Sequence, residues 1–583
     1  MTPAVAHLPP RPVNPMRPST PLFLAIALAG SACQSRAQFA DLVFTGGNVI
    51  TMDSANATAQ AVAIRAGRIV YVGTDAGADR WIGTATRVIP LGGRTVLPGF
   101  EDAHLHPIHA GLNMAGCDLT DFPTRDAVFA RVRTCADSLP AGEWLVGSNW
   151  ALPLFPEANP QREWLDSLTP GRPAFLRAAD GHSAWVNTEA LTRAGITAKT
   201  PDPVNGRIER NQKGEPTGTL RESAIDLVQS QIPEPTPEQR RAALKRAVME
   251  LNRVGVTAFH EASAGRADLE AYRDLDQRGE LTARVEVSML AEPTLGLEQV
   301  DSLVAWRKEF LGPHVSPTAV KIFADGVIEA RTAAMLAPYL DRKDDAGTPN
   351  WPAARLDSLV AKLVDNDFSV HVHAIGDWAV RMTLDAMEAA ERGKARGTRR
   401  HQIAHLEVID SADIPRFASL DVIANFQALW AFPDSYIRDL TLPALGPDRS
   451  RWLYPIGSVA KAGGRLAFGS DWPVSSPVPL LAVQVAMTRQ DPADSTGATL
   501  LPEQAIDLQA GLRAYTLGSA YAMGLESETG SLAVGKAADL VVLAEDIGRV
   551  GPTRLGRVLV QLTMLDGRPV YGDLATLEPK PAP

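Results

Sequence analysis

Leu97-Pro98-Gly99-Phe100-Glu101-Asp102-Ala103-His104-Leu105-His106 is an apolar run that closes on two histidines two residues apart. Side chains two apart on a β-strand share a face, so His104 and His106 reach toward one point. Three later runs end in the same kind of residue: His371-Val372-His373, His405, and Gly469-Ser470-Asp471. The chain holds 11 histidines, and five of them fall at or beside such run ends. A lone His-x-His is a weak signal; its recurrence from run to run carries the weight.

The runs lie at 96–104, 256–261, 284–290, 319–324, 369–373, 402–405, 422–427 and 466–470, with longer amphipathic stretches between them. Short apolar strands alternating with helices mark a parallel sheet. Eight such units predict an α/β fold, a TIM-like (β/α)8 barrel over residues 96–524. Active groups in such barrels gather at the carboxyl ends of the strands, where these histidines fall. The interval 105–255 is too long for one βα unit and predicts an insertion subdomain after barrel strand 1, at about 107–250. Within it, 143–147 and 173–177 read as strands, and 180–185 and 206–208 as loop or edge segments over the barrel mouth. Residues 38–95 read as short strands with glycine turns, and 525–583 have the same character. Each is too small to stand alone, so the two predict a composite β-sandwich built from both chain ends. No period of about 20–50 residues recurs, which argues against a solenoid or propeller.

The 583 residues are 45% hydrophobic and 21% charged, the composition of an ordinary globular chain rather than a disordered or multi-span membrane protein. With 57 Lys+Arg against 67 Asp+Glu the net charge is −10, so the basic footprint of a nucleic-acid binder is missing and a small-molecule substrate is expected. Residues 1–37 read as an export signal. Arg11 and Arg17 precede the apolar stretch Pro21–Ala32, which is too short to span a bilayer, and Met16 offers a second start. Cys33 follows Gly30-Ser31-Ala32 as at a bacterial lipoprotein cleavage site, but the leucine usual three residues before it is absent. Secretion to the periplasm and membrane anchoring through a lipidated Cys33 both stay open, beside a cytoplasmic protein with a frayed tail. In an oxidising compartment Cys117 and Cys135 could pair; a disulfide and two free thiols are equally compatible with the sequence.

The order His-x-His, Lys, His, His, Asp across strands one, four, five, six and eight resembles the amidohydrolase superfamily of metal-dependent hydrolases. Finer motifs resemble its YtcJ-like, amidohydrolase-3 branch: Asp180-Gly181-His182-Ser183-Ala184-Trp185-Val186-Asn187, Gly214-Glu215-Pro216-Thr217-Gly218, Val320-Lys321-Ile322-Phe323-Ala324-Asp325-Gly326, His373-Ala374-Ile375-Gly376-Asp377 and Gly469-Ser470-Asp471-Trp472-Pro473. The resemblance covers about residues 40–575. It implies that His104, His106, Lys321, His373, His405 and Asp471 form a metal shell for one or two divalent ions. Neutral imidazoles and a carboxylate suit Zn²⁺, with Mn²⁺, Fe²⁺ or Co²⁺ as substitutes. A protonated lysine cannot be a ligand; the resemblance implies a Lys321 carboxylated by CO2, the alternative being a lysine paired with Asp325. Asp471 is then the general base, and His182 a second catalytic group that faces the substrate carbonyl.

The reaction so implied is hydrolysis of a non-peptide or cyclic amide carbon–nitrogen bond by metal-activated water, in a homodimer or monomer. An esterase, lactonase or phosphoesterase of the same fold, or a metal-containing binding lipoprotein without turnover, are the rival readings. Gly-x-Ser-x-Gly, the Walker phosphate loop and Gly-x-Gly-x-x-Gly are all absent. Around the shell, His371 reads as a deeper supporting histidine and Asp102 as a carboxylate that orients a ligand imidazole. His109, His260 and Glu261 read as hydrogen-bonded rim groups. Arg331 meets a substrate anion or holds its loop, and Trp150, Trp185, Trp430 and Trp472 are pocket walls or packing.

Overall fold

The computed structural model describes residues 39–578, apart from 56, 396 and 398. The export-signal reading, Cys33 included, therefore falls outside the described residues. Among those described, no helix is long and apolar enough to cross a membrane.

Eight strands form one parallel sheet in chain order: β1 (Phe100–Leu105), β2 (Val256–Ala264), β3 (Arg284–Leu290), β4 (Val315–Phe323), β5 (Ser369–Ala374), β6 (Gln402–His405), β7 (Ile423–Phe426) and β8 (Leu466–Phe468). The first and last strands meet beyond their ends, where the Asp471 amide donates to the His104 carbonyl at 2.7 Å and the His106 amide to the Trp472 carbonyl at 2.8 Å. The result is the nearly closed (β/α)8 barrel expected from the eight runs. Helix Pro237–Arg253, which leads into β2, shows how local signals set the units. Thr236 and Gln239 form a capping box, Pro237 sits at the first helical position, and Leu244, Val248 and Leu251 point to the core.

The run 96–104 is not one strand. It breaks at Gly99, where a Cβ would stand 2.0 Å from Thr257 Oγ1. The upstream half, Thr95–Pro98, runs parallel to Asn48–Ile50 and antiparallel to Leu540–Leu543. One six-stranded sheet therefore draws on both chain ends, in the order Arg568–Tyr571, Val560–Leu565, Leu540–Leu543, Thr95–Pro98, Asn48–Ile50, Thr58–Ala59. A four-stranded sheet of Arg68–Gly73, Ala61–Arg65, Leu42–Thr45 and Arg87–Pro90 faces it across a core that includes Phe44, Val62, Val96, Val542 and Met564.

The insertion has its own six-stranded mixed sheet, ordered Gly206–Arg210, Pro216–Glu222, Ser183–Val186, Ala174–Ala178, Leu145–Trp150, Cys117–Asp118. The segment 180–185, expected as loop or edge, is part turn and part interior strand, because Ser183–Val186 pairs on both sides. Cys117 and Cys135 are joined in a disulfide with their Cα atoms 5.8 Å apart, tying helix Arg125–Ser138 to the sheet edge. Trp150 and Trp185 are fully buried in this subdomain's core, where their indole N–H groups donate to the carbonyls of Leu176 and Gln161. They are packing residues, not pocket walls.

Candidate metal centre

β1 delivers His104 and His106 to one face at the barrel mouth, and the turn after β8 brings Asp471 against them. Ligand atoms of these three residues all lie within 4.8 Å of one another. His106 Nε2 is 3.2 Å and His104 Nε2 3.6 Å from Asp471 Oδ1. Lys321, at the end of β4, places Nζ 3.3 Å from His104 Nε2. His405 Nδ1 lies 3.9 Å from Asp471 Oδ2, and the His373 and His405 rings are 4.5 Å apart between centroids. His182 reaches over from the insertion, its ring centroid 5.0 Å from that of His373. All seven residues singled out from the sequence thus meet in one cluster.

The donor set has the chemistry of a cation site. His106 stands between two carboxylates, its Nδ1 3.4 Å from Glu261 Oε1 and its Nε2 3.2 Å from Asp471 Oδ1; an ion held at Nε2 would leave the ring proton on Nδ1, facing Glu261. His373 Nε2 lies 3.1 Å from the Gly326 carbonyl, which fixes the proton on Nε2 and leaves the Nδ1 lone pair. His405 Nδ1 and Asp471 Oδ1 are buried with no hydrogen-bond partner among the described residues. Lone pairs converging in a dry site call for positive charge among them. The residues present therefore fit a divalent ion. His405 and Asp471 also hold positive φ, 77° and 54°, a strained backbone of the kind found at functional sites.

Electrostatics follow from burial and neighbours. Burial drives the His104, His373 and His405 imidazoles well below the ordinary range, keeping them neutral as ligands must be. Burial also pushes the Lys321 amine down to about 7, against the pull of Asp471 and Glu261. At His106 burial opposes the charge, but Asp471 and Glu261 outweigh it and hold the imidazole up at about 9. His182 is similar: against burial, Glu222 and Asp180 raise it to about 9. Its Nδ1 sits 2.8 Å from Glu222 Oε2, and Glu222 Oε1 accepts a hydrogen bond from Thr332 Oγ1 at 2.6 Å. His182 is thus an imidazolium at neutral pH, with Nε2–H left to donate.

Several surrounding residues differ from expectation. Lys321 does not pair with Asp325, whose carboxylate instead accepts the backbone amides of Ala334, Ile375 and Gly376 at 2.9–3.0 Å. Asp102 orients no imidazole; it accepts the amides of His104 and Ser470, both at 3.0 Å, and so locks β1 to the end of β8. Glu261 is more than a rim group, because it holds His106 and accepts Tyr272 Oη at 2.8 Å. His260 lies inside the barrel, fully buried. Arg331 is bound to Asp341 and to the Ile328 and Glu329 carbonyls, and therefore holds its loop. Trp430 stacks on His405 with the rings 2° from parallel, forming one wall of the site, and Trp472 packs against the barrel core. Glu222 was not foreseen: it lies 40 residues from His182, at the end of strand Pro216–Glu222.

A barrel of this topology, with imidazoles and a carboxylate converging at the carboxyl ends of its strands, defines a metal-dependent hydrolase. The amidohydrolase family profile matches residues 87–571, and the chain belongs to that family. It is 29% identical to the Bacillus subtilis protein YtcJ over 91% of this chain and 99% of that one. It is also 29% identical to an N-substituted formamide deformylase of Arthrobacter pascens, over 91% of this chain and 98% of the relative. Among solved structures, a metal-dependent hydrolase of uncharacterized activity from Pyrococcus horikoshii superposes with a TM-score of 0.70 at 25% identity, covering 88% of this chain and 99% of that one.

Proposed function

We propose that the protein hydrolyses a carbon–nitrogen bond in a non-peptide amide or cyclic amide, using water activated at a divalent metal, with zinc the best match to the donor set. The observation that carries this reading is the convergence of His104, His106 and Asp471, whose ligand atoms lie within 4.8 Å of one another, with His405 Nδ1 buried beside them and without a hydrogen-bond partner among the described residues. His104, His106, His373, His405 and Asp471 would hold the ion, and Lys321 would complete the shell after carboxylation. Burial lowers its amine to about 7, so a neutral fraction is present to add to CO2, giving a carbamate and releasing one proton, and a second ion could then share that anion. A bound ion supplies Lewis acidity and lowers the pKa of the water it holds from 15.7 toward about 7. Asp471 accepts the proton of the attacking water and returns it to the leaving nitrogen. His182 Nε2–H donates to the substrate carbonyl oxygen as negative charge gathers there.

The kinship with an N-substituted formamide deformylase supports the choice of an amide over an ester, lactone or phosphoester. The Cys117–Cys135 disulfide supports export to the periplasm, with or without a lipid anchor at Cys33. The mature protein would act on a small molecule as a homodimer or monomer. The test is zinc-loaded protein offered N-substituted formamides, anilides, N-acyl amino acids and cyclic amides beside matched esters, lactones and phosphoesters. Hydrolysis led by one of the amide classes is expected. Faster turnover of an oxygen ester than of every amide, or full metal content with no turnover at all, would overturn the reading.

A further inference from the structure

His405 closes β6, and Gln427 directly follows β7, the next strand of the barrel. Each carries a buried acceptor, His405 Nδ1 and Gln427 Oε1, without a hydrogen-bond partner among the described residues. The first belongs to the metal shell. The second has no part in it, although the Gln427 side chain is fully buried.

The two ends of the Gln427 amide are told apart by their neighbours. Asn425 Nδ2 donates to the Ala103 carbonyl at 2.9 Å and to Gln402 Oε1 at 2.8 Å. A backbone carbonyl only accepts, so the nitrogen of Asn425 is on that side and its oxygen on the other. Gln427 Nε2 stands 3.4 Å from Asn425 Oδ1, a long hydrogen bond, and turning the amide over would set two oxygens against each other. Oε1 is therefore the open end.

The contact with Asn425 also fixes where Gln427 faces. Side chains two apart share one face of a strand, and Asn425 reaches across the inside of the barrel to Ala103 on β1. Gln427 thus faces inward, about 6.6 Å nearer the mouth at about 3.3 Å per residue, in the layer that holds His104 and His106. Asn425 and Phe426 pair with Ala467 and Phe468 of β8, so the residue level with Gln427 is Gly469. A Cβ at Gly469 would stand 2.6 Å from His104 Cβ, so β8 places no side chain between Gln427 and His104. The short turn that Gln427 opens, Ala428–Trp430, carries the indole that stacks on His405.

A buried acceptor with no donor costs free energy unless a donor arrives with the working site. Zinc prefers imidazole and carboxylate ligands, which the site already supplies, whereas water brings two O–H donors. We propose that Gln427 Oε1 accepts a hydrogen bond from the attacking water and orients it. The inference rests on the metal-centre reading above. Asp471 takes one proton of the water and returns it to the leaving nitrogen. The other proton stays on the oxygen, held by Gln427 Oε1, while the carbon–oxygen bond forms and the carbon–nitrogen bond breaks. It passes to solvent when the product acid ionises. With both protons directed to fixed acceptors, a lone pair of the water is aimed at the carbonyl carbon. Gln427 itself neither gains nor loses a proton.

The first test is a crystal structure of the zinc-loaded protein, in which an ordered water beside the ion should lie within about 3.2 Å of Gln427 Oε1. If zinc is bound but Oε1 meets no water, or is itself on the ion, the proposal is overturned and the metal centre stands. If no zinc binds at His104, His106 and Asp471, both fall. The second test is Gln427→Met, which keeps the length of the side chain and removes the acceptor. Its kcat should fall about 10–100-fold, the usual loss when a group supporting a metal site is removed, with KM and zinc content unchanged. The thermal midpoint of the metal-free variant should not fall, because an apolar side chain has replaced a buried unpaired amide. Wild-type kcat, or a loss of zinc or thermal stability alongside the loss of kcat, would mean simple packing and overturn the proposal. Should Gln427→Met fail to fold, the wild-type crystal structure decides alone.

Discussion

The barrel and the insertion contribute to one site by opposite means. The barrel presents its ligands on regular parallel strands, two residues apart on β1 and at strand ends elsewhere, so neighbouring strands bring them together at about 3–5 Å almost automatically. The insertion supplies one side chain, His182, at a turn, and must hold it by pairings distant in sequence: Glu222 at its Nδ1, and Thr332 behind Glu222. The barrel imidazoles of His104, His373 and His405 are dry and neutral, while His182 is a cation kept so by a carboxylate. The lesson is a division of labour, with metal chemistry built into the scaffold and the polarising group mounted on a part that can vary without disturbing the ligands.

Substituting one residue from each side tests that division most strongly. Asp471→Asn removes both a ligand oxygen and the proton carrier, and activity should fall about 10²–10⁴-fold, with zinc content reduced in elemental analysis. His182→Asn should lower kcat about 10²–10³-fold, the usual cost of losing a transition-state donor, with zinc content intact. Loss of zinc in His182→Asn would break the comparison, because the insertion would then be part of the metal shell.

The same contrast governs what could be read from the chain. His104, His106, His373, His405 and Asp471 were legible because period-two spacing and strand-end position are local properties, and the eight apolar runs repeat one pattern. The break at Gly99 was hidden because apolar residues continue on both sides, and only the approach of Thr257 from β2 makes the bend necessary. Ser288 was hidden for a related reason: in Val287-Ser288-Met289 it reads as an incidental small residue, and only the closed barrel sets its hydroxyl 2.7 Å from His260 Nε2 and 3.0 Å from His371 Nδ1. Trp150 and Trp185 show the converse, since aromatic residues near a barrel mouth are equally suited to a wall or a core. The tertiary pairing of the insertion sheet decided for the core.

The disulfide offers a milder way to separate the two regions. Opening the Cys117–Cys135 link in a Cys117→Ala/Cys135→Ala variant should cost about 2–4 kcal/mol of stability. The loss should be local to the insertion. Amide hydrogen exchange would quicken in helix Arg125–Ser138 and strand Leu145–Trp150, while β1 and β5 stay protected and zinc stays bound. Uniform loosening of barrel and insertion together would show that they unfold as one unit and that their separation is only topological.

The finest test is the pH profile of Glu222→Gln. In the wild type, Glu222 holds His182 up at about 9, so the Nε2–H donor is present below that pH and is lost as pH rises through it. Removing the carboxylate charge moves the imidazole back toward its ordinary 6.5, and burial then opposes its charge without compensation from that carboxylate. The alkaline limb of kcat should therefore move to lower pH, with activity at pH 8 falling about tenfold and activity at pH 6 much less affected. Zinc affinity should not follow, because Glu222 is hydrogen-bonded to His182 and Thr332 rather than to a barrel ligand. A profile that drops evenly at every pH would mean that Glu222 only places the ring. In that case the insertion contributes geometry rather than charge, and the contrast with the barrel narrows to one of position.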